Sequence, residues 1–153
     1  MRIGILTSSR ADFGIYLPLI NGLKNNKNFT ISLIVFGTHL SEKHGYTINE
    51  IIESGIETQF VLKPLQFGDT PGEIAKTITA TFNQFDKFWS INYQNFDLVF
   101  CLGDRYEMFA AVTSGIPFGI KFAHFHGGET TRNGAEKVTH LGYYGGSCTT
   151  KVT

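Results

Sequence analysis

Two cysteines in 153 residues leave no room for a disulfide framework, and neither has the neighbours of a zinc site. Cys101 lies inside an apolar run and reads as a small buried hydrophobe, while Cys148 falls in a tail of glycine, serine and threonine. An excess of either charge is also lacking, since 13 Lys plus Arg balance 13 Asp plus Glu. Such a chain carries no electrostatic footprint for nucleic acid or an acidic membrane, so any phosphate it binds must be held locally. No apolar run approaches a membrane span. The first run, residues 3–6, follows one positive charge and breaks at Thr7-Ser8-Ser9-Arg10. That is too short for a secretory signal, and a reducing cytoplasm is expected. The glycine fingerprints of dinucleotide sites and of P-loops are absent as well.

What is present is an alternation of strand and helix patterns. Residues 3–6 form an apolar run, a polar loop follows, and Ile15, Leu17, Leu19, Ile20 and Leu23 mark a helix face. After a turn at Asn25-Asn26-Lys27-Asn28, residues 29–36 read as a buried strand ending at Gly37-Thr38-His39. A helix is expected over 47–53, stopped by Gly55, and a third strand over 57–62, closed by Pro64. Thr70-Pro71-Gly72-Glu73 has helix-start grammar, and Ile74, Ile78, Phe82, Phe85 and Phe88 or Trp89 continue at helical spacing to about residue 93. A fourth strand at 97–101, a short helix at 106–112 and a fifth strand at 120–125 complete the series. This order predicts an α/β fold with a Rossmann-like, doubly wound parallel sheet covered on both faces. The length suits one domain, large enough to bury about two thirds of its unfolded surface. The aromatic stretch 81–93 has few basic partners, so it reads as core or as an interface rather than a platform for stacking bases.

In an open parallel sheet ligands bind where strands end, and the polar motifs fall there. Thr7-Ser8-Ser9-Arg10-Ala11-Asp12-Phe13-Gly14 lies between the first strand and helix, where backbone N–H groups and the helix dipole make an anion site and Arg10 offers a fork for phosphate. The plainer alternative is an Asp12 cap beside a solvated Arg10. Leu102-Gly103-Asp104-Arg105-Tyr106-Glu107 and His124-Phe125-His126-Gly127-Gly128-Glu129-Thr130 follow the fourth and fifth strands. They bring Asp104 and Glu129 toward one cleft, where two carboxylates split in pKa into a base and an acid. Otherwise Asp104 caps the next helix and Glu129 is a surface acid. Gly103, Gly127 and Gly128 let backbone approach a ligand closely. His124 and His126 alternate and, with His39, form either a metal site or a polar rim.

Together with Gly37-Thr38-His39-Leu40-Ser41 and Gly45-Tyr46-Thr47, these motifs resemble, in order from Met1 to Thr131, the hydrolysing UDP-N-acetylglucosamine 2-epimerases. The nearest branch feeds bacterial sialic and related nonulosonic acid synthesis. The resemblance implies the N-terminal half of a glycosyltransferase-B-type fold, a UDP-sugar as substrate, no cofactor and no metal. It implies elimination of UDP through a 2-acetamidoglucal, then addition of water to give N-acetylmannosamine, with 4-acetamido-6-deoxy sugars as related substrates. By motif, Asp104 and Glu129 are the catalytic carboxylates, and Arg10 binds the diphosphate. Asp12, His39, Arg105, His126, Gly127 and Gly128 complete the substrate site. A homodimer through this domain is implied, with the aromatic helix as a candidate surface.

After Thr131 the resemblance fades: residues 132–153 hold few large aliphatics and no helical or strand period. The expectation is an epimerase domain over 1–131 and an irregular tail over 132–153, produced by a frameshift or truncation that removes the C-terminal domain. A stand-alone binding module for a phosphosugar or a protein is the alternative, and a glycosyltransferase half is disfavoured by the His-Phe-His-Gly-Gly-Glu segment.

Overall fold

The computed structural model describes residues 1–42, 45–56, 58–63 and 67–125. Five parallel strands, β1 (Arg2–Thr7), β2 (Thr30–Val35), β3 (Thr58–Val61), β4 (Leu98–Leu102) and β5 (Phe122–Phe125), form one sheet in the order β3-β2-β1-β4-β5. The crossovers carry α1 (Arg10–Lys24), α2 (Ile48–Glu53), α3 (Pro71–Asn92) and α4 (Tyr106–Gly115). This is the expected doubly wound arrangement.

Side chains alternate along each strand, and both faces of the sheet are buried, as a covered parallel sheet requires. Ile3 and Ile5 of β1, Leu33 and Val35 of β2 and Leu102 of β4 meet Phe13, Tyr16 and Ile20 of α1 and Ile51 of α2. Leu6, Ile34, Val99 and Cys101 point the other way, onto Phe85, Phe88 and Trp89 of α3 and Met108, Ala111 and Val112 of α4. Cys101 is fully buried, as its apolar setting implies.

The second face is rich in aromatic rings meeting edge to face. Phe36 and Phe85 centroids are 4.8 Å apart, Phe88 and Trp89 4.9 Å, and Trp89 and Phe122 6.0 Å. Such pairs add to plain area burial because a ring's positive edge meets a negative face. Trp89 Nε1 donates to the Ala111 carbonyl at 2.9 Å, satisfying the one polar atom of the cluster's largest side chain and joining α3 to α4. The aromatic stretch is therefore core. Its large outward side chains, Phe82 and Tyr93 at 39% exposure and Ile91 at 79%, are the exceptions.

Two helix faces differ from the sequence expectation. On α1 the buried stripe is Phe13, Tyr16 and Ile20, while Ile15 and Leu17 are exposed. The aromatics start the stripe a turn early and set its angle. On α3 Phe82 faces outward and Thr77 and Thr81 are buried in its place. Thr77 tolerates this because its hydroxyl donates back to the Glu73 carbonyl at 3.0 Å. The expected start of α3 is present as a capping box between Thr70 and Glu73.

β1 and β4 are tied at their starts by Arg2, whose backbone N–H donates to Asp97 Oδ2 at 2.7 Å and whose Nη2 donates to Oδ1 at 2.8 Å. The side-chain bond first, then the backbone one, lowers the Asp97 carboxyl to about 2. Among the described residues no helix is long and apolar enough to cross a membrane.

At the other end of β1, the Ser8 carbonyl accepts from Thr38 N at 2.8 Å and Thr38 Oγ1 at 3.0 Å, clamping a 3₁₀ turn over Gly37–Leu40 onto the β1–α1 loop. Gly37 adopts φ +64°, and a Cβ there would lie 2.7 Å from the Ser8 carbonyl oxygen. Gly37→Ala adds left-handed strain to a backbone collision, and about 2–4 kcal/mol of stability should be lost. Urea unfolding measures this; an unchanged midpoint would contradict the clamp.

Candidate functional site

The chain runs from β1 to β2 and β3 on one side, then returns through α3 to β4 on the other side of β1. The strand order therefore reverses between β1 and β4, and the crevice outside the carboxyl ends of those two strands is the binding place of such sheets. The loop 8–10 borders it on one side and 103–105 on the other.

The first loop is built by Asp12. Its Oδ2 accepts from Ser8 N at 3.0 Å, Ser8 Oγ at 2.7 Å and Ser9 N at 3.0 Å. Ser9, the N-cap of α1, returns a bond from Asp12 N to its Oγ, completing a capping box. Asp12, expected in the substrate site, is 5% exposed, with its carboxylate turned onto its own loop. The Ser-x-x-Asp spacing carries that role in the sequence. The capping box leaves the Arg10 and Ala11 N–H groups of the first turn with no intrahelical acceptor. They form the positive end of the α1 dipole.

Arg10 stands at this point with its side chain 73% exposed. Its Nε donates to Glu50 of α2, 3.1 Å from Oε1 and 3.2 Å from Oε2. Glu50 is a site residue that the sequence did not reveal, since nothing in the local pattern links positions 40 apart.

His39, expected in the substrate site, has no exposed surface, and both its ring nitrogens are hydrogen-bonded. Nε2 and Thr7 Oγ1 share a 2.8 Å hydrogen bond, as do Nδ1 and Thr47 Oγ1. The ring bridges the end of β1 to the residue that opens α2. Burial pushes the imidazole below its ordinary value, against the pull of Asp12, Glu50 and the Ser9 backbone toward the charged form. Among the described residues no three His, Cys, Asp or Glu side chains cluster to hold a metal.

On the opposite border Gly103 has φ +78°, and a Cβ there would meet nothing within 4 Å, so this glycine serves the backbone conformation and faces open space. Asp104 is partly exposed and Arg105 exposed. Arg105 is the N-cap of α4 without a side-chain bond, so the capping alternative for Asp104 does not hold. Glu107, in the first turn of α4, is only 4% exposed. His124 Nε2 bonds the Gly103 carbonyl at 2.8 Å and holds this loop against β5. β5 ends at Phe125, paired with Leu102. The expected site residues His126, Gly127, Gly128 and Glu129 lie outside the described residues.

A family model for UDP-N-acetylglucosamine 2-epimerase matches residues 21–139. The chain belongs to this family. The match runs past Thr131 and includes the 103–105 border of the crevice, beginning after the 8–10 loop. Among relatives, the polysialic acid biosynthesis protein P7 of Escherichia coli is 31% identical over 130 residues, 85% of this chain and 33% of that protein. The hydrolysing UDP-N,N'-diacetylbacillosamine 2-epimerase of Legionella pneumophila is 30% identical over 140 residues, 91% of this chain and 36% of that protein. The chain thus spans about a third of the length of these epimerase relatives.

Solved structures agree in fold. The epimerase of Neisseria meningitidis bound to UDP-GlcNAc superposes with TM-score 0.70 at 15% identity, over 93% of this chain and 38% of that one. The Methanocaldococcus jannaschii epimerase in complex with UDP-GlcNAc and UDP gives 0.67 at 19% identity, over 92% and 37%. The expected glycosyltransferase-B-type, Rossmann-like architecture is that of the epimerases.

The buried imidazole has a consequence for pH. Because His39 titrates lower when folded than when unfolded, its contribution is fully present above the unfolded value of about 6.5. It is lost as pH falls through the folded value. Acidification from pH 7.5 to 5.5 should lower the urea midpoint more for the wild type than for His39→Gln; parallel losses would contradict the buried, neutral ring.

Proposed function

We propose that this chain is the N-terminal part of a hydrolysing UDP-N-acetylglucosamine 2-epimerase, acting on UDP-N-acetylglucosamine or a related UDP-sugar in the cytoplasm. The observation that carries the reading is Arg10 at the capped N-terminus of α1, beside the point where strand order reverses, in a chain of this family. Two first-turn N–H groups, the dipole and a guanidinium suit a diphosphate, whose charge needs local partners in a chain of zero net charge.

The chemistry is the one that the family resemblance implies. Asp104 and Glu129 are the acid/base pair near the sugar. One takes the C2 proton as the bond from C1 to the glycosidic oxygen breaks and UDP leaves with the electron pair. The resulting 2-acetamidoglucal then takes a hydroxyl from water at C1 and a proton at C2 on the opposite face, giving the N-acetylmannosamine configuration. Arg10 and the α1 N-terminus stabilise the charge developing on the departing phosphate. Arg105, His126 and the Gly127-Gly128 backbone line the sugar pocket, while Asp12 and His39 act by holding the loop and α2. No metal or cofactor enters these steps.

In this reading residues 1–131 form the epimerase domain and 132–153 an irregular tail, of which the family model still matches the part up to residue 139. Residues 1–153 correspond to about a third of the epimerase relatives, so by themselves they are expected to bind UDP weakly and to turn nothing over. Calorimetry with UDP should show weak binding by the wild type, reduced at least tenfold in Arg10→Ala, equivalent to about 1.4 kcal/mol. Equal affinities would overturn the placement of the diphosphate. Turnover of UDP-N-acetylglucosamine at about 1 per second would contradict the need for a second domain.

A further inference from the structure

Arg10 and Glu50 are joined in an unusual way for an exposed pair. The carboxylate straddles Nε, at 3.1 Å and 3.2 Å from its two oxygens, instead of taking the outer fork. Among the described residues Nη1 and Nη2 take no hydrogen-bond acceptor, so the side of the guanidinium that grips phosphate in two parallel bonds is left open.

Glu50 is held on a fixed base. It sits in α2 between Ile48 and Ile51, which are 7% and 0% exposed, and Thr47 at the start of that helix is bonded to the buried His39. His39 is bonded in turn to Thr7 at the end of β1. The chain of contacts closes a circuit: β1 to His39, to Thr47 and α2, to Glu50, and back to the first residue of α1. An exposed ion pair adds little to stability, so the worth of this one lies in orientation. An arginine already held at Nε loses less rotamer freedom when a ligand arrives.

We propose that Glu50 is a positioning residue that presets the Arg10 guanidinium for a diphosphate through Nε, leaving Nη1 and Nη2 for the ligand. This rests on the reading of Arg10 as the diphosphate partner. Two effects oppose each other: Glu50 orders the guanidinium, but its charge repels an anion. Glu50→Ala removes both effects, whereas Glu50→Gln removes the repulsion and keeps an acceptor for Nε–H.

The test is titration of the chain with inorganic pyrophosphate, followed by the side-chain Nε–Hε resonance of Arg10 and by calorimetry. If orientation dominates, Glu50→Ala weakens binding roughly 3- to 5-fold, the range of an exposed ion pair. Glu50→Gln then recovers most of the loss, and in an Arg10→Ala background Glu50→Ala changes nothing. Unchanged or tighter binding by Glu50→Ala overturns the proposal while leaving Arg10 as the anion partner. Absence of pyrophosphate binding by the wild type overturns both.

Discussion

The turn from β1 into α1 governs everything at the carboxyl edge of this sheet, and one carboxylate makes that turn. Asp12 gathers the Ser8 N–H, the Ser8 hydroxyl and the Ser9 N–H onto a single oxygen. A buried acid is tolerable only when several donors satisfy it, and these three donors could not be left unpaired in a buried loop either. The loop therefore has one shape. That shape turns the Ser8 carbonyl toward Thr38, starts α1 at Arg10 and leaves the Arg10 and Ala11 N–H groups with no intrahelical acceptor.

The same economy runs through the neighbouring contacts. His39 has no exposed surface, yet its two bonds decide where α2 begins. α2 is only six residues long and could not hold itself in water. Ile48, Ile51 and the Thr47 bond fix it against the sheet, and Glu50 rides on it. The hydrophobic faces supply the stability, while a few short polar bonds decide where the functional groups stand.

How much of this was legible in the sequence depended on how far apart the cooperating residues lie. Strands and helices follow from local periods, so the order of elements and the parallel sheet were readable, as was the capping box at Thr70 and Glu73. The buried stripe of α1 was misjudged because Phe13 and Tyr16, not the aliphatic residues after them, set its phase. Phe82 was misplaced because Thr77 can hide a hydroxyl on its own helix and take the inner position. The sequence places His39 beside a strand end, but its bonds to Thr7 and Thr47, which join β1 to α2, have no mark in the local pattern. Glu50 had no sequence mark at all, its partner being set by the fold. Motif resemblance brought out the family and the Asp104 loop, while Glu129 and the residues from His126 onward rest on motif alone.

The central claim is that a nucleotide diphosphate binds outside the ends of β1 and β4. Backbone amide shifts of the isotope-labelled chain, recorded as UDP is added, test it most directly. The account predicts shifts concentrated at Ser8, Ser9, Arg10 and Ala11 on one border and Gly103, Asp104 and Arg105 on the other. Shifts centred on the outer face of α3, or none even at millimolar UDP, where a weak site of about 1 mM fills, would contradict it.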